Sequence, residues 1–141
     1  MIAYIFAGLS AFFAALVAIF GKLGLTHVDP TAATAVRAVI MAVVLLLGAV
    51  VFKKLNFDTL TTFGGKGWLF IVLAGLAGAI SWLFYFIALK YGTASHVAAI
   101  DRLSIVFVVI LAALFLGETF TWATFFGALL MVFGALMIAF L

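Results

Sequence analysis

Residues 122–141 have the sequence WATFFGALLMVFGALMIAFL, twenty residues without a charged side chain. A transmembrane helix needs about 20 predominantly apolar residues. Four further stretches of similar length and composition lie at 2–24, 31–52, 68–89 and 95–116. We therefore predict an all-α integral membrane protein, a bundle of five transmembrane helices.

The overall composition supports this prediction. Of the 141 residues, 70% are hydrophobic and 8% are charged, and the mean hydropathy is +1.53. A soluble domain is roughly half apolar and a quarter charged, so seven basic and four acidic side chains cannot cover one. The runs are continuously apolar and do not alternate, which argues against a β-barrel. Because five spans use almost the whole length, we predict one transmembrane domain over residues 1–141.

The breaks between the apolar runs contain helix-boundary residues. We interpret Gly64–Gly67 as part of a flexible loop. We expect Glu118 to accept hydrogen bonds from backbone N–H groups where the fifth segment begins. The candidate N-caps are Asp29, followed by Pro30, for the second segment, Thr93 or Ser95 for the fourth, and Thr119 or Thr121 for the fifth.

Three charged residues lie inside the apolar segments: Arg37, Asp101 and Arg102. Placing a charge at the bilayer centre costs about 2.5–3.5 kcal/mol even on the lenient insertion scale. Arg37 and Asp101 each lie roughly 9 Å along their helices from the same predicted membrane face, so an ion pair would lower the cost of both. This pair is either structural or part of a pathway for a solute or protons. Arg102 points about 100° away from Asp101.

Aromatic and hydroxyl side chains lie at a depth similar to that of Arg37 and Asp101. Trp82 and Tyr85 lie roughly 6 to 10 Å from the end of the third segment, and Ser104 follows Asp101 at i+3 on one helix face. The two aromatic residues belong either to an interfacial belt or to a pathway lining. The candidate residues of a solute path are Arg37, Trp82, Tyr85, Asp101, Arg102 and Ser104, and Asp101 is the candidate proton carrier.

The sequence lacks the residue patterns that metal binding, cofactor binding, catalysis or nucleic-acid binding would need. The chain has no cysteine, and His27 and His96 are isolated, so we expect no metal site. Nucleotide-binding loops and nucleophile elbows are missing, so we expect neither a cofactor nor enzymatic activity. The few basic residues are scattered and do not indicate nucleic-acid binding.

The order of several short motifs resembles the EamA domain of the drug/metabolite transporter superfamily. This resemblance covers essentially the whole chain and implies that Gly117 and Glu118 form a structural motif. Most members of the superfamily carry two such repeats in inverted orientation, whereas this chain resembles the short single-repeat members. Related chains often have a proline near Ala99 or Ser104, and neither proline is present here. The motifs are Arg37, Ala88-Leu89-Lys90-Tyr91-Gly92, Ala94-Ser95, Leu116-Gly117-Glu118, Thr121, Gly127 and Gly134.

The resemblance implies transport of small metabolites, often export. A five-helix chain has little room for a pathway of its own, so we expect a homodimer in the cell membrane that works by alternating access. Three lysines at one predicted face oppose two at the other, which permits either a single orientation or an antiparallel dimer. The expected partners are a small-molecule solute, protons, the lipid bilayer and a second copy of the chain. The alternative is an accessory or assembly subunit that does not transport.

Overall fold

The computed structural model describes residues 1–54, Thr62 and residues 64–141, and within them it has helices and no strands. Five helical spans are long and apolar enough to cross a membrane, which confirms the predicted fold class. The helices are α1 (Ile2–Gly24), α2 (Pro30–Val51), α3 (Gly64–Tyr91), α4 (Ala94–Asp101), α5 (Ser104–Leu111) and α6 (Trp122–Phe140). The fourth span, Ala94–Leu116, comprises α4, α5 and a wide turn over Ala112–Leu116.

Helix α3 begins earlier than the sequence predicts. It starts at Gly64, whereas the apolar run starts at Trp68, so the interpretation of Gly64–Gly67 as a loop is wrong. Extending an existing helix costs only about 1 kcal/mol for each glycine, which a long apolar helix tolerates. The other residues between the second and third spans, 55–61 and 63, lie outside the described part of the chain.

Side-chain caps fix the starts of three helices. The Asp29 carboxylate accepts hydrogen bonds from the backbone N–H groups of Thr31 and Ala32 at 2.8 and 3.2 Å, and Pro30 occupies the first position of α2. The bond from Ala32 is the largest of the effects that lower the pKa of Asp29. The predicted cap at Asp29 is therefore confirmed.

The starts of α4 and α6 follow the same principle. Thr93 caps α4 by accepting from the His96 N–H at 3.4 Å. Thr121 caps α6 by accepting from the Thr124 N–H at 3.2 Å. Thr121, one of the two predicted caps, is therefore confirmed. The prediction that Glu118 accepts these backbone hydrogen bonds is wrong, because the threonine hydroxyl next to the first turn reaches the donor.

The fourth span is interrupted between α4 and α5 although it contains no proline. The N–H of Leu103 donates to the carbonyl of Ile100 at 2.9 Å, and the N–H of Ile105 donates to the carbonyl of Arg102 at 3.1 Å. These are i→i+3 bonds of a tight 3₁₀ turn, and they replace the i→i+4 bonds of an α-helix. The predicted continuous helix over residues 95–116 is therefore wrong at Arg102 and Leu103.

A wide turn ends the same span. Gly117 has a left-handed backbone with φ of 66°, and both its N–H and that of Glu118 donate to the carbonyl of Ala112. Glycine adopts this conformation without the steric cost that a Cβ atom imposes. The Leu116-Gly117-Glu118 motif thus acts through its backbone as a helix stop.

The chain divides into two compact units, Met1–Leu23 with Tyr91–Leu141, and Gly24–Lys90. In the first unit α4 packs against α6, and each helix contributes one buried alanine, Ala99 and Ala135. Such small residues permit close approach of helices in lipid. The Lys22 Nζ donates to the carbonyl of Gly92 at 2.7 Å, which ties the end of α1 to the loop before α4.

The second unit contains α2 and α3. The Lys90 Nζ, in the last turn of α3, donates to the carbonyl of Val28 in the loop before α2 at 3.3 Å. Leu25, Phe86 and Leu89 are buried, and Leu89 is completely inaccessible. The hydrogen bond from Lys90 links the end of α3 to the loop before α2.

Most apolar side chains of the spans are exposed. Between 0 and 11% of each span's most apolar window is buried within the chain. A soluble monomer rarely exposes contiguous apolar surface on this scale. Lipid or a further protein chain must cover these faces, as expected of an integral membrane protein.

Substitution of Gly117 by alanine tests the helix stop. No heavy atom lies within 4 Å of a Cβ built at Gly117, so the cost comes from the left-handed backbone alone, about 1–2 kcal/mol. We expect Gly117→Ala to lower the unfolding free energy by this amount in a detergent titration with SDS. Gly48→Ala is the control, because this glycine is helical and also has open space around its Cβ position. Equal stability of Gly117→Ala and the parent chain would contradict the assignment.

Candidate functional site

The side chain of Arg37 lies on the ring of Trp82. The guanidinium carbon is 3.7 Å from the Trp82 ring centroid and 5.3 Å from that of Phe86. Arg37 is about 10 Å along the helix from Pro30, which places it inside the second span. A cation over an aromatic face is attracted by the ring quadrupole, and this attraction increases where water is excluded. The stack therefore offsets part of the cost of a charge within the span.

Three aromatic residues of α3 pack together beside Arg37, which contacts two of them, Trp82 and Phe86. Trp82 and Tyr85 meet edge to face, with centroids 5.5 Å apart and planes at 79°. Phe86 lies 6.2 Å from Trp82 and is buried. Positions i, i+3 and i+4 share one helix face, so the spacing of these residues aligns them. We call Arg37, Trp82, Tyr85 and Phe86 the arginine–aromatic cluster.

The edge of the Arg37 guanidinium has no partner among the described residues of its own unit, Gly24–Lys90. None of these residues forms a hydrogen bond with Arg37. Every buried side-chain nitrogen or oxygen among the described residues has a hydrogen-bond partner. The guanidinium nitrogens that have no such partner are therefore not buried. The cluster thus stacks the face of the cation and leaves its N–H donors accessible.

Asp101, Arg102 and Ser104 lie together at the interruption of the fourth span. Asp101 ends α4, Arg102 is in the tight turn and Ser104 begins α5. All three side chains are exposed in the single chain. In a 3₁₀ turn side chains at i and i+3 are aligned, so the spacing of Asp101 and Ser104 still favours the predicted shared side.

The structure brings together some of the predicted site residues. Arg37, Trp82 and Tyr85 form one group in the unit Gly24–Lys90, and Asp101, Arg102 and Ser104 form another in the other unit. The ion pair of Arg37 with Asp101 stays a prediction, since the two residues belong to different units. Phe86 belongs to the cluster but was not predicted. Its i+4 spacing from Trp82 is the signal that could have identified it among the 17 phenylalanines.

An open apolar cavity lies between α5 and α6. It has a volume of about 340 Å³ and a lining without charged side chains. Such a lining offers no hydrogen bonds to a polar solute. Its walls are Val106, Val109, Ile110, Phe120, Phe125, Ala128, Leu129 and Val132.

Five apolar spans with charged residues inside them define a multi-pass membrane protein of the α-helical class. The model of the EamA-like transporter family matches residues 1–140. The chain belongs to the EamA-like transporter family.

A curated relative has a similar length. It is a protein of Sinorhizobium sp. described as an uncharacterized transporter in the cobO 3'region, with 42% identity over 131 residues. The matched region covers 93% of this chain and 92% of the relative. No solved structure matches the chain.

A double-mutant cycle measures the stack between Arg37 and Trp82. We expect Arg37→Met and Trp82→Leu to show a coupling energy of about 1–2 kcal/mol in SDS unfolding, the range for a partly desolvated cation–π contact. Phe84 lies on the same helix and is exposed, so Arg37→Met with Phe84→Leu is the matched control. A coupling energy near zero for the first pair would show that the stack contributes nothing to stability.

Proposed function

We propose that the chain is one half of a secondary transporter that exports small metabolites. Two copies, five spans each, form the pathway and alternate its access between the two sides of the membrane. Membership of a transporter family supports the general function. The count of five spans supports the dimer, because recurrent transporter designs pair two repeats around a site near the membrane midplane.

The observation that carries this proposal is the interruption of the fourth span at Asp101–Ser104. Interrupted transmembrane helices in transporters expose backbone polar groups at the binding site, and short 3₁₀ stretches within helices often mark hinges. Here the interruption coincides with two of the charged residues inside the spans, Asp101 and Arg102. A charge at membrane depth is costly and is most often functional.

The residues have the following proposed roles. Asp101 carries a proton or pairs with Arg37, and Arg37 orients the solute. Trp82, Tyr85, Arg102 and Ser104 line the path. Proton uptake at Asp101 would couple solute export to the proton gradient.

Flux measurements test the role of Asp101. Proteoliposomes loaded with a pH-sensitive dye receive a panel of small metabolites under an imposed pH gradient. We expect at least one metabolite to accelerate dissipation of the gradient, and we expect Asp101→Asn to slow this flux at least tenfold, because an amide cannot carry the proton. Asp29→Asn is the matched control, since asparagine also caps a helix and Asp29 lies outside the spans.

Two results would contradict these assignments. Unchanged flux in Asp101→Asn would exclude this residue as the proton carrier. Absence of flux for every metabolite, with the parent chain folded, would favour the accessory-subunit alternative over transport.

Labelling of single cysteines tests an antiparallel dimer. The chain has no native cysteine, so His27→Cys and Thr119→Cys each introduce one thiol, in two exposed loops. If the two subunits of the proposed dimer are inverted, a membrane-impermeant maleimide labels about half of the copies from each side of the membrane. Labelling of His27→Cys from one side only, and of Thr119→Cys from the opposite side only, would refute the antiparallel arrangement.

A further inference from the structure

We propose that the arginine–aromatic cluster binds a carboxylate or phosphate group through the edge of the Arg37 guanidinium. The inference deepens the proposed function, on which it rests, by naming the substrate class as small organic anions.

The two sides of the guanidinium have different surroundings. Trp82 occupies one face at 3.7 Å, and Phe86 adds a second ring at 5.3 Å. The five N–H donors of arginine lie in the plane of the group and point out along its edge. No described residue of Gly24–Lys90 accepts a hydrogen bond from them, and the nitrogens are accessible. Inside a bilayer, water does not supply the missing acceptors, so a bound anion satisfies donors that would otherwise be costly.

The geometry of the donors selects the ligand. The planar fork of arginine matches the two oxygens of a carboxylate or phosphate in a bidentate arrangement. The stack on Trp82 fixes the plane of this fork before a ligand arrives. Trp82 itself packs edge to face with Tyr85 and lies beside buried Phe86, so little conformational freedom remains to be lost on binding.

The local charge also favours an anion. In the described part of Gly24–Lys90 the acidic side chain is Asp29, and its carboxylate already accepts two backbone hydrogen bonds at the start of α2. The other described charged groups of this unit are the lysines Lys53, Lys54, Lys66 and Lys90. No described carboxylate of this unit neutralises Arg37.

Tryptophan fluorescence reports on the site directly. The chain has three tryptophans, so a Trp68→Phe, Trp122→Phe background leaves Trp82 as the only one. This protein, in dodecyl maltoside micelles without phospholipid, is titrated with sodium acetate and with sodium phosphate at constant ionic strength. We expect a saturable change in Trp82 emission with at least one anion and none with acetamide, the neutral counterpart of acetate.

Variants of Arg37 separate charge from geometry. Arg37→Lys keeps the charge and loses the fork, so we expect at least a tenfold weaker response to the anion. Arg37→Gln should abolish the response, and its SDS unfolding midpoint shows whether it is folded. No response in the parent background, or an equal response in Arg37→Lys, would overturn the proposal.

Two further arms identify the source of the anion. Phosphatidylglycerol added to the micelles tests a lipid headgroup, and a response to this lipid alone would overturn the assignment to a soluble substrate. Asp101→Asn tests an internal competitor, and anion binding in this variant alone would show that Asp101 occupies Arg37 in the native chain. Because binding is measured in micelles, binding without flux would reject transport and leave the anion site. Flux of neutral metabolites without anion binding would reject the site alone.

Discussion

The lack of hydrogen-bonding partners in the hydrocarbon of a bilayer is the constraint on which this structure depends. Backbone N–H and C=O groups must find partners within the chain, and a helix provides them locally. The five spans are the direct result. The caps at Asp29, Thr93 and Thr121 supply hydrogen-bond acceptors at the helix starts, where the first N–H groups have no intrahelical partner.

The same constraint acts on charge. Arg37 cannot be hydrated fully inside the span, and the described residues of its unit offer it no carboxylate. The faces of Trp82 and Phe86 compensate in part and add no acidic group. An aromatic partner leaves the positive charge available, whereas a carboxylate would neutralise it. This difference makes the cluster more informative about function than an ion pair.

Much of the fold follows from the sequence because its signals are local. Long, predominantly apolar runs identify all five spans, and the Asp29-Pro30 pair marks the start of α2 within one residue. The tight turn after Asp101 carries no comparable signal, since neither proline nor glycine occurs there. The early start of α3 was missed because four residues with three glycines are typical of a loop, although a long helix can absorb them.

The candidate site was predictable in part for a similar reason. Depth along each helix follows from counting residues, so Arg37, Trp82 and Tyr85 could be assigned to one layer. Contact partners also depend on helix rotation, which residue counting does not provide. The sequence favoured Asp101 as the partner of Arg37 because opposite charges are the strongest pairing signal, and it left Phe86 among many similar residues.

The fourth span deviates from the α-helix twice, in opposite senses, and this affects its rotational phase. A 3₁₀ turn advances about 120° per residue and an α-helix about 100°, so Arg102 and Leu103 together add roughly 40° of rotation. The wide i→i+5 turn over Ala112–Leu116 contains more residues per turn and removes rotation. The side chains of α5 are therefore rotated about the helix axis relative to the positions that a continuous α-helix from α4 would give them. The direction in which a substituted side chain points therefore depends on whether its position lies in α4, in α5 or in the wide turn.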